Sequence, residues 1–219
     1  MHLVRSIVIV PVLALATAGA VSAQQIATVP EQRGYIAAQA GAISGPPAPV
    51  FSVEYGDNMH RSAQAYLTLS YFENLMRQAM RDDVTTLGTN LSARTGAPWE
   101  LSGRDRGVAL TTGAKYLFGS GNARPYVGAG AGIMSLRRTV TEARIGDVTA
   151  AVFNDFSVGE SDLSLASASI TRPLVEAAFG VGIVNGNTYF DVGYRYRRAF
   201  RLANSLDFSQ VNVGVGYRF

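Results

Sequence analysis

The sequence predicts an all-β fold, an eight-stranded antiparallel up-and-down transmembrane β-barrel with its apolar face turned outward to lipid. Three observations predict it. Apolar and polar residues alternate with period two in eight segments, the pattern of strands with one apolar face. The connections include tight turns and two long polar stretches, placed as a membrane barrel places its short turns and long loops. Aromatic residues gather at segment ends, where a ring can meet both hydrocarbon and water. The composition agrees. Hydrophobic residues make up 47% and charged residues 16%, with 23 Gly, whereas soluble domains carry roughly a quarter charged residues.

The chain opens with a basic start at residues 1–5, an apolar run at 6–21 and the small-residue site Val21-Ser22-Ala23. This three-part pattern predicts a secretory signal peptide over 1–23. The run is too short and too rich in small residues for a spanning helix. Residues 24–33 read as a flexible lead-in and 34–219 as the barrel. The predicted strands are 35–43, 50–55, 63–72, 106–118, 125–136, 174–183, 189–197 and 207–219. Tight turns are expected at Gly56-Asp57-Asn58, Gly119-Ser120-Gly121-Asn122 and Asn185-Gly186-Asn187. The long stretches are 73–104, whose first part (74–84) reads as a short helix, and 139–169. The connections after the first and seventh strands are short, which departs from the strict alternation.

If the first strand starts in the periplasm, the periplasmic rim holds Tyr35, Tyr55, Tyr116, Phe118, Phe190, Tyr217 and Phe219. The outer rim then holds Phe51, Tyr71, Trp99 and Phe208, while Tyr126 and Tyr189 have inward parity at rim height. The polar face carries Glu54, Lys115, Glu176, Asp191, Arg195, Arg197 and Arg218. Glycines accompany them, among them Gly128, Gly130, Gly180, Gly193 and Gly216, and are expected to leave room for long Arg side chains. Eight strands enclose only enough space for side chains to fill. A lone charge there is costly, so these residues are expected to pair into a ladder that closes the pore. A soluble barrel would instead turn the apolar face inward.

The chemistry on offer is narrow. With no Cys there is no disulfide, no thiol nucleophile and no lipid-anchored Cys. Of two His, His2 falls in the signal peptide. His60 falls in the turn after the second strand, away from an outer-leaflet site and without a paired Ser on that strand. No enzymatic activity is expected. One mature His and no Cys also argue against a metal site, and Asp82, Asp83, Asp155, Glu160 and Asp162 read as solvated loop acids. No cofactor is implied. The net charge is +3 with scattered basic residues, so nucleic acid is not expected. Arg106, Arg137 and Arg198 point outward near the upper rim and are candidates for lipopolysaccharide phosphates, which Arg can grip bidentately.

The last strand, with Val211, Val213, Val215, Tyr217 and Phe219 on one face, resembles the terminal signal that the barrel-assembly machinery reads in bacterial outer-membrane barrels. The run Pro125-Tyr126-Val127-Gly128-Ala129-Gly130-Ala131-Gly132 and the stretch Asp191-Val192-Gly193-Tyr194-Arg195-Tyr196 resemble the same family. The whole mature part is similar to the small eight-stranded OmpA-transmembrane-domain and OmpX type. The resemblance implies an outer-membrane location, lipid and lipopolysaccharide as surroundings, and a monomer. No appended peptidoglycan-binding domain is expected. The function expected is a structural and surface-interaction scaffold with a charge-plugged lumen. Its loops 73–104 and 139–169 are the expected contact surfaces for an extracellular ligand. A narrow porin-like channel and, behind it, a lipid-modifying enzyme are the alternatives. Fold alone names no ligand.

Overall fold

The computed structural model describes residues 34–44, 48–76, 78–149, 170–200 and 205–219. The expected signal peptide and lead-in (1–33) and most of the second long stretch (150–169) lie outside the described residues. The described strands are β1 (Tyr35–Ile43), β2 (Ala48–His60), β3 (Ala63–Phe72), β4 (Leu101–Leu117), β5 (Ala123–Glu142), β6 (Gly146–Asp147), β7 (Ile170–Asn185), β8 (Thr188–Ala199) and β9 (Leu206–Arg218). Neighbours pair antiparallel, and β1 pairs with β9 from Tyr35↔Arg218 to Ile43↔Gln210, which closes the sheet. The two-residue β6 only extends β5, so eight strands build the wall. Closure gives every wall strand two neighbours and removes the open edges that invite aggregation.

β2 corrects one expectation. It runs through Gly56-Asp57-Asn58 without turning and reaches His60, with an irregularity in pairing between Asn58 and His60. Gly56 faces the lumen, and a Cβ there would lie 2.1 Å from the Tyr35 ring. It is therefore a spacer for an aromatic ring rather than a turn residue. His60 accordingly ends a strand, and the turn falls at Arg61-Ser62.

β4 and β5 are also longer than expected, starting at Leu101 and ending at Glu142. β3 stops at Phe72, opposite Gly107. Residues 101–106 of β4 therefore project beyond the wall by roughly 20 Å at ordinary strand rise, still paired to β5. The helix lies further along than expected: α1 spans Gln78–Thr95. It ends at Gly96, whose φ of +68° suits a residue without a Cβ. The Gly96 N–H donates to the Ser92 carbonyl at 3.0 Å. α1 sets Val84 and Leu91 against Leu101, Val140 and Val148, a small second core above the barrel. Trp99 packs on this core and donates from Nε1 to Thr95 Oγ1 at 3.0 Å. It belongs to this ledge and not to the outer aromatic rim.

The wall is apolar outside and polar inside. Phe51, Leu69, Ile133, Phe179, Val192 and Val213 lie exposed on the outer face, a belt far larger than a soluble monomer leaves uncovered. Tyr55, Tyr116, Phe118, Phe190, Tyr217 and Phe219 stand outward near the end where the chain enters and leaves the barrel. Two expected rim residues turn inward instead. Tyr35 is buried in the lumen, and Phe208 packs edge-on against Phe72 at 5.2 Å between ring centres. In each case the residue shares parity with polar inward neighbours, and that parity decides its side.

Candidate functional site

Six of the seven expected lumen charges meet in the middle of the barrel. Lys115 Nζ on β4 lies 2.5 Å from Glu54 Oε1 on β2. Arg195 Nη2 on β8 donates to the other oxygen of Glu54, and Arg195 Nη1 lies 3.3 Å from Glu176 Oε1 on β7. Arg197 Nε donates to Glu176 Oε2 at 2.5 Å, and its two terminal nitrogens reach Gln210 Oε1 at 2.7 Å and Ser70 Oγ at 3.1 Å. The result is a continuous chain, Lys115–Glu54–Arg195–Glu176–Arg197, with side chains 0% exposed. Asp191 sits beside it, held by donors from Gln39, Tyr126, Tyr189 and Asn212 at 3.2–3.4 Å. Arg218 does not join the chain. It is opposite Tyr35 at the end of β9 and lines a small cavity at the barrel mouth.

Four inward tyrosines complete this layer. Each donates to a buried carboxylate: Tyr35 to Glu54, Tyr66 to Glu176 at 2.9 Å, and Tyr126 and Tyr189 to Asp191. They also explain the glycines. A Cβ on Gly113 or Gly130, which pair across β4 and β5, would meet the Tyr66 hydroxyl at 2.7 and 2.5 Å. A Cβ on Gly180 or Gly193, which pair across β7 and β8, would meet the Tyr126 hydroxyl at 2.7 and 2.5 Å. The room expected for arginines is thus taken largely by tyrosine heads. The sequence carried the signal in inward Tyr parity, but not which strand supplies each slot.

A further layer escaped the sequence reading. Above the ionic chain, Val50, Phe72, Met134, Leu174, Phe208 and Ile43 form a buried apolar cluster across the lumen. The Arg197 guanidinium carbon lies 5.3 Å from the centre of the Phe72 ring, joining the two layers.

At the end carrying α1, the three outward arginines separate. Arg106 and Arg137 are directly opposed across β4 and β5. Arg198 is on β8, two strands further round than β5, and its Nε lies 3.6 Å from Asp207. Glu73 receives Arg104 at 2.8 Å, Arg106 at 3.6 Å and the Tyr71 hydroxyl at 2.7 Å. The Tyr71 hydrogen bond, with both arginines assisting, holds the Glu73 carboxyl below the usual carboxylate range. On the inner side, Arg138 grips Asp105 with two bonds of 2.7 and 2.6 Å. His60 lies at the opposite end, where its Nδ1 accepts from the Ser62 N–H at 3.4 Å.

The model of the outer membrane protein β-barrel domain matches residues 13–219. The chain belongs to that family. This outer-membrane barrel is similar to Neisserial surface protein A, with 15% identity, 85% of this chain and 96% of that chain covered, and a TM-score of 0.53. It is also similar to Ail of Yersinia pestis (12% identity, 86% and 97% covered, TM-score 0.47) and to the N-terminal barrel of Pseudomonas aeruginosa OprF (14% identity, 86% and 98% covered, TM-score 0.45). No curated protein matches the chain. Family membership places the barrel in the outer membrane. The short turns at 61–62, 118–122 and 186–187 share one end of the barrel, and α1 with the projecting ends of β4 and β5 lies at the other. Val211, Val213, Val215, Tyr217 and Phe219 all face outward on β9 or just beyond it. The Phe219 N–H donates to the Gly34 carbonyl at 3.0 Å, and its ring stacks on Tyr55 at 6.3 Å.

Proposed function

We propose that this protein is a sealed scaffold of the outer membrane that anchors and displays, at the cell surface, the ledge made by α1 and the projecting ends of β4 and β5. The observation that carries this reading is the filled lumen. A chain of paired, buried charges, balanced once the neighbouring Asp191 is counted, spans the middle, and an apolar cluster spans the outer end. A conducting path needs water, and a hydrophobic constriction excludes it. A catalytic role is not part of the proposal, because His60 sits at the turn after β2 and, among the described residues, its Nδ1 accepts from the local Ser62 backbone. Partners belong to the proposal too. Arg106 and Arg137 reach toward lipopolysaccharide phosphates, Arg198 makes a separate contact of the same kind, and the surface loops meet extracellular ligands. The outward face of β9 serves the assembly machinery, and the N-terminal segment directs export and is cleaved after Ala23.

The deciding experiment is a planar-bilayer recording of the refolded barrel, with heat-shifted gel mobility confirming the fold. A silent trace is expected. Steady, repeatable openings would overturn the sealed scaffold and put the narrow channel in its place.

A further inference from the structure

A cavity of about 510 Å³ lies on the ledge, where α1 meets the projecting end of β4. Arg81, Arg104 and Arg106 line it, together with Asn74, Thr85 and Ser102. Among the described residues that line it there is no Asp or Glu. From this cavity we infer that the ledge carries a binding site for a phosphate-type oxyanion borne on an organic group.

Four observations converge on that ligand. Three guanidinium groups meet at one cavity, and the neighbouring carboxylate, Glu73, is already shared by Arg104 and Arg106. Positive charge therefore exceeds negative charge there. The Arg81 Nε is buried and has no hydrogen-bond partner among the described residues. A buried donor left unmatched is costly, and an acceptor in the cavity would remove that cost. Arg106 also stands directly opposite Arg137 in the β4–β5 ladder, and like charges opposed across a ladder repel unless an anion offsets them. Finally, Arg81 lies in the first turn of α1, where the helix end adds positive potential. Asp82 and Asp83 lie exposed on α1, with Asp82 accepting from Gln78 Nε2, and Asp105 is held by Arg138.

The chemistry selects the ligand class. Guanidinium forks bind tetrahedral oxyanions with paired bonds, and the hydroxyls of Thr85 and Ser102 add further donors. The volume exceeds what a bare ion needs and suits a phosphate with an attached group. The site sits at the height of Tyr71, the outward ring at the outer end of β3. It is therefore open both to a lipid headgroup arriving sideways and to a soluble phosphorylated molecule. This inference rests on the surface placement of the ledge, and it does not require a sealed lumen.

Two arms test it on the full barrel folded in zwitterionic detergent. In the first, inorganic phosphate is titrated calorimetrically at constant ionic strength. In the second, the barrel is reconstituted in phosphatidylcholine vesicles with or without phosphatidic acid, and the lipid retained on re-extraction is measured. Binding in either arm is expected to weaken about tenfold in Arg81→Gln and in Arg104→Gln, the effect of losing one charge-assisted contact. It is expected to strengthen in Glu73→Gln, which frees the two arginines. Arg61→Gln, in the turn at the opposite end of the barrel, is the control and should change nothing, with heat-shifted mobility confirming that each variant folds. Retention of phosphatidic acid without phosphate binding assigns the site to a lipid headgroup, and phosphate binding without retention assigns it to a soluble ligand. No binding in either arm, binding unaffected by Arg81→Gln and Arg104→Gln, or an equal loss in Arg61→Gln would overturn the inference. Both arms read binding and not current, so a conducting barrel would leave them intact.

Discussion

Arg195 holds the lumen together, because its two terminal nitrogens bind Glu54 and Glu176 from opposite sides of the gap and also reach Thr68 and Gln39. Arg195→Met would leave two buried carboxylates with one cation each. Removing one partner from a buried pair costs about 3–5 kcal/mol, so the midpoint of urea unfolding in detergent should fall clearly. An unchanged midpoint would mean that the chain contributes nothing to stability. The tyrosine slots give a sharper test. Gly193→Ala places a methyl 2.5 Å from the Tyr126 hydroxyl, while its next contacts are 3.3 Å or more away. Overpacking of this kind costs about 1–3 kcal/mol. In Tyr126→Phe the clashing oxygen is gone, so the double variant should lose less than the sum of the single losses, by more than about 0.5 kcal/mol. Strict additivity would show that the slot is not specific. At this scale the sequence was partly legible. Parity alone puts Glu54, Lys115 and Arg195 inside, because side chains alternate faces along a strand. It cannot say that Tyr66 shares a slot with Gly113 and Gly130, because strand register lies beyond period-two alternation. Arg218 shows the other limit: it has the right parity, but its height at the end of β9 takes it out of the network.

At the scale of elements, the strands inside the lipid were readable and their continuation above it was not. In lipid one face must be apolar, so alternation is sharp. Beyond it both faces of a hairpin can be polar, as in Arg104-Asp105-Arg106 and Arg137-Arg138-Thr139, and the pattern fades although the ladder continues. The helix was blurred for a related reason. Val84, Leu87 and Leu91 make a sparse apolar stripe in a polar segment, while Gly96 and Pro98 mark the stop more clearly than anything marks the start. Two predictions belong here. Gly96→Ala forces a side chain into the left-handed region at a cost of about 1–2 kcal/mol. Amides in the last turn of α1 should then exchange faster, while the heat-shifted mobility of the wall stays the same. The second concerns Glu73. Its carboxyl is held below the usual range, so the tether it makes is complete above the unfolded value and is lost as pH falls through the lowered one. The Leu75 amide, which donates to the Asp105 carbonyl at 2.7 Å beside that tether, should lose protection, relative to its intrinsic exchange rate, as pH falls through that lowered value. In Glu73→Gln that pH dependence should vanish, and persistence of the same dependence would assign it to another group.

For the whole molecule, the decisive property is that two unlike layers of buried side chains, one ionic and one apolar, lie in series along one lumen. The ionic chain fills the middle with buried, mutually paired side chains. The apolar cluster around Phe72, Met134 and Phe208 fills the outer end, and an apolar constriction excludes water. If both layers seal the lumen, as proposed, they fail under different changes, and that separates a sealed scaffold from a channel with a charged gate. Replacing Glu54 and Lys115 together with Gln removes the Lys115–Glu54 and Arg195–Glu54 ion pairs while keeping much of the side-chain bulk. If that chain were the only gate, current should appear. With the apolar layer still above it, the trace should stay silent. Conversely, Phe72→Ala with Phe208→Ala opens the outer end but leaves the chain intact, and again no steady current is expected. Only the four changes combined should admit water along the full length and give small, flickering openings, in barrels whose heat-shifted mobility confirms that they remain closed sheets. Current from the Gln pair alone would make the lumen charges a gate in their own right, and the protein would then have to be understood as a channel.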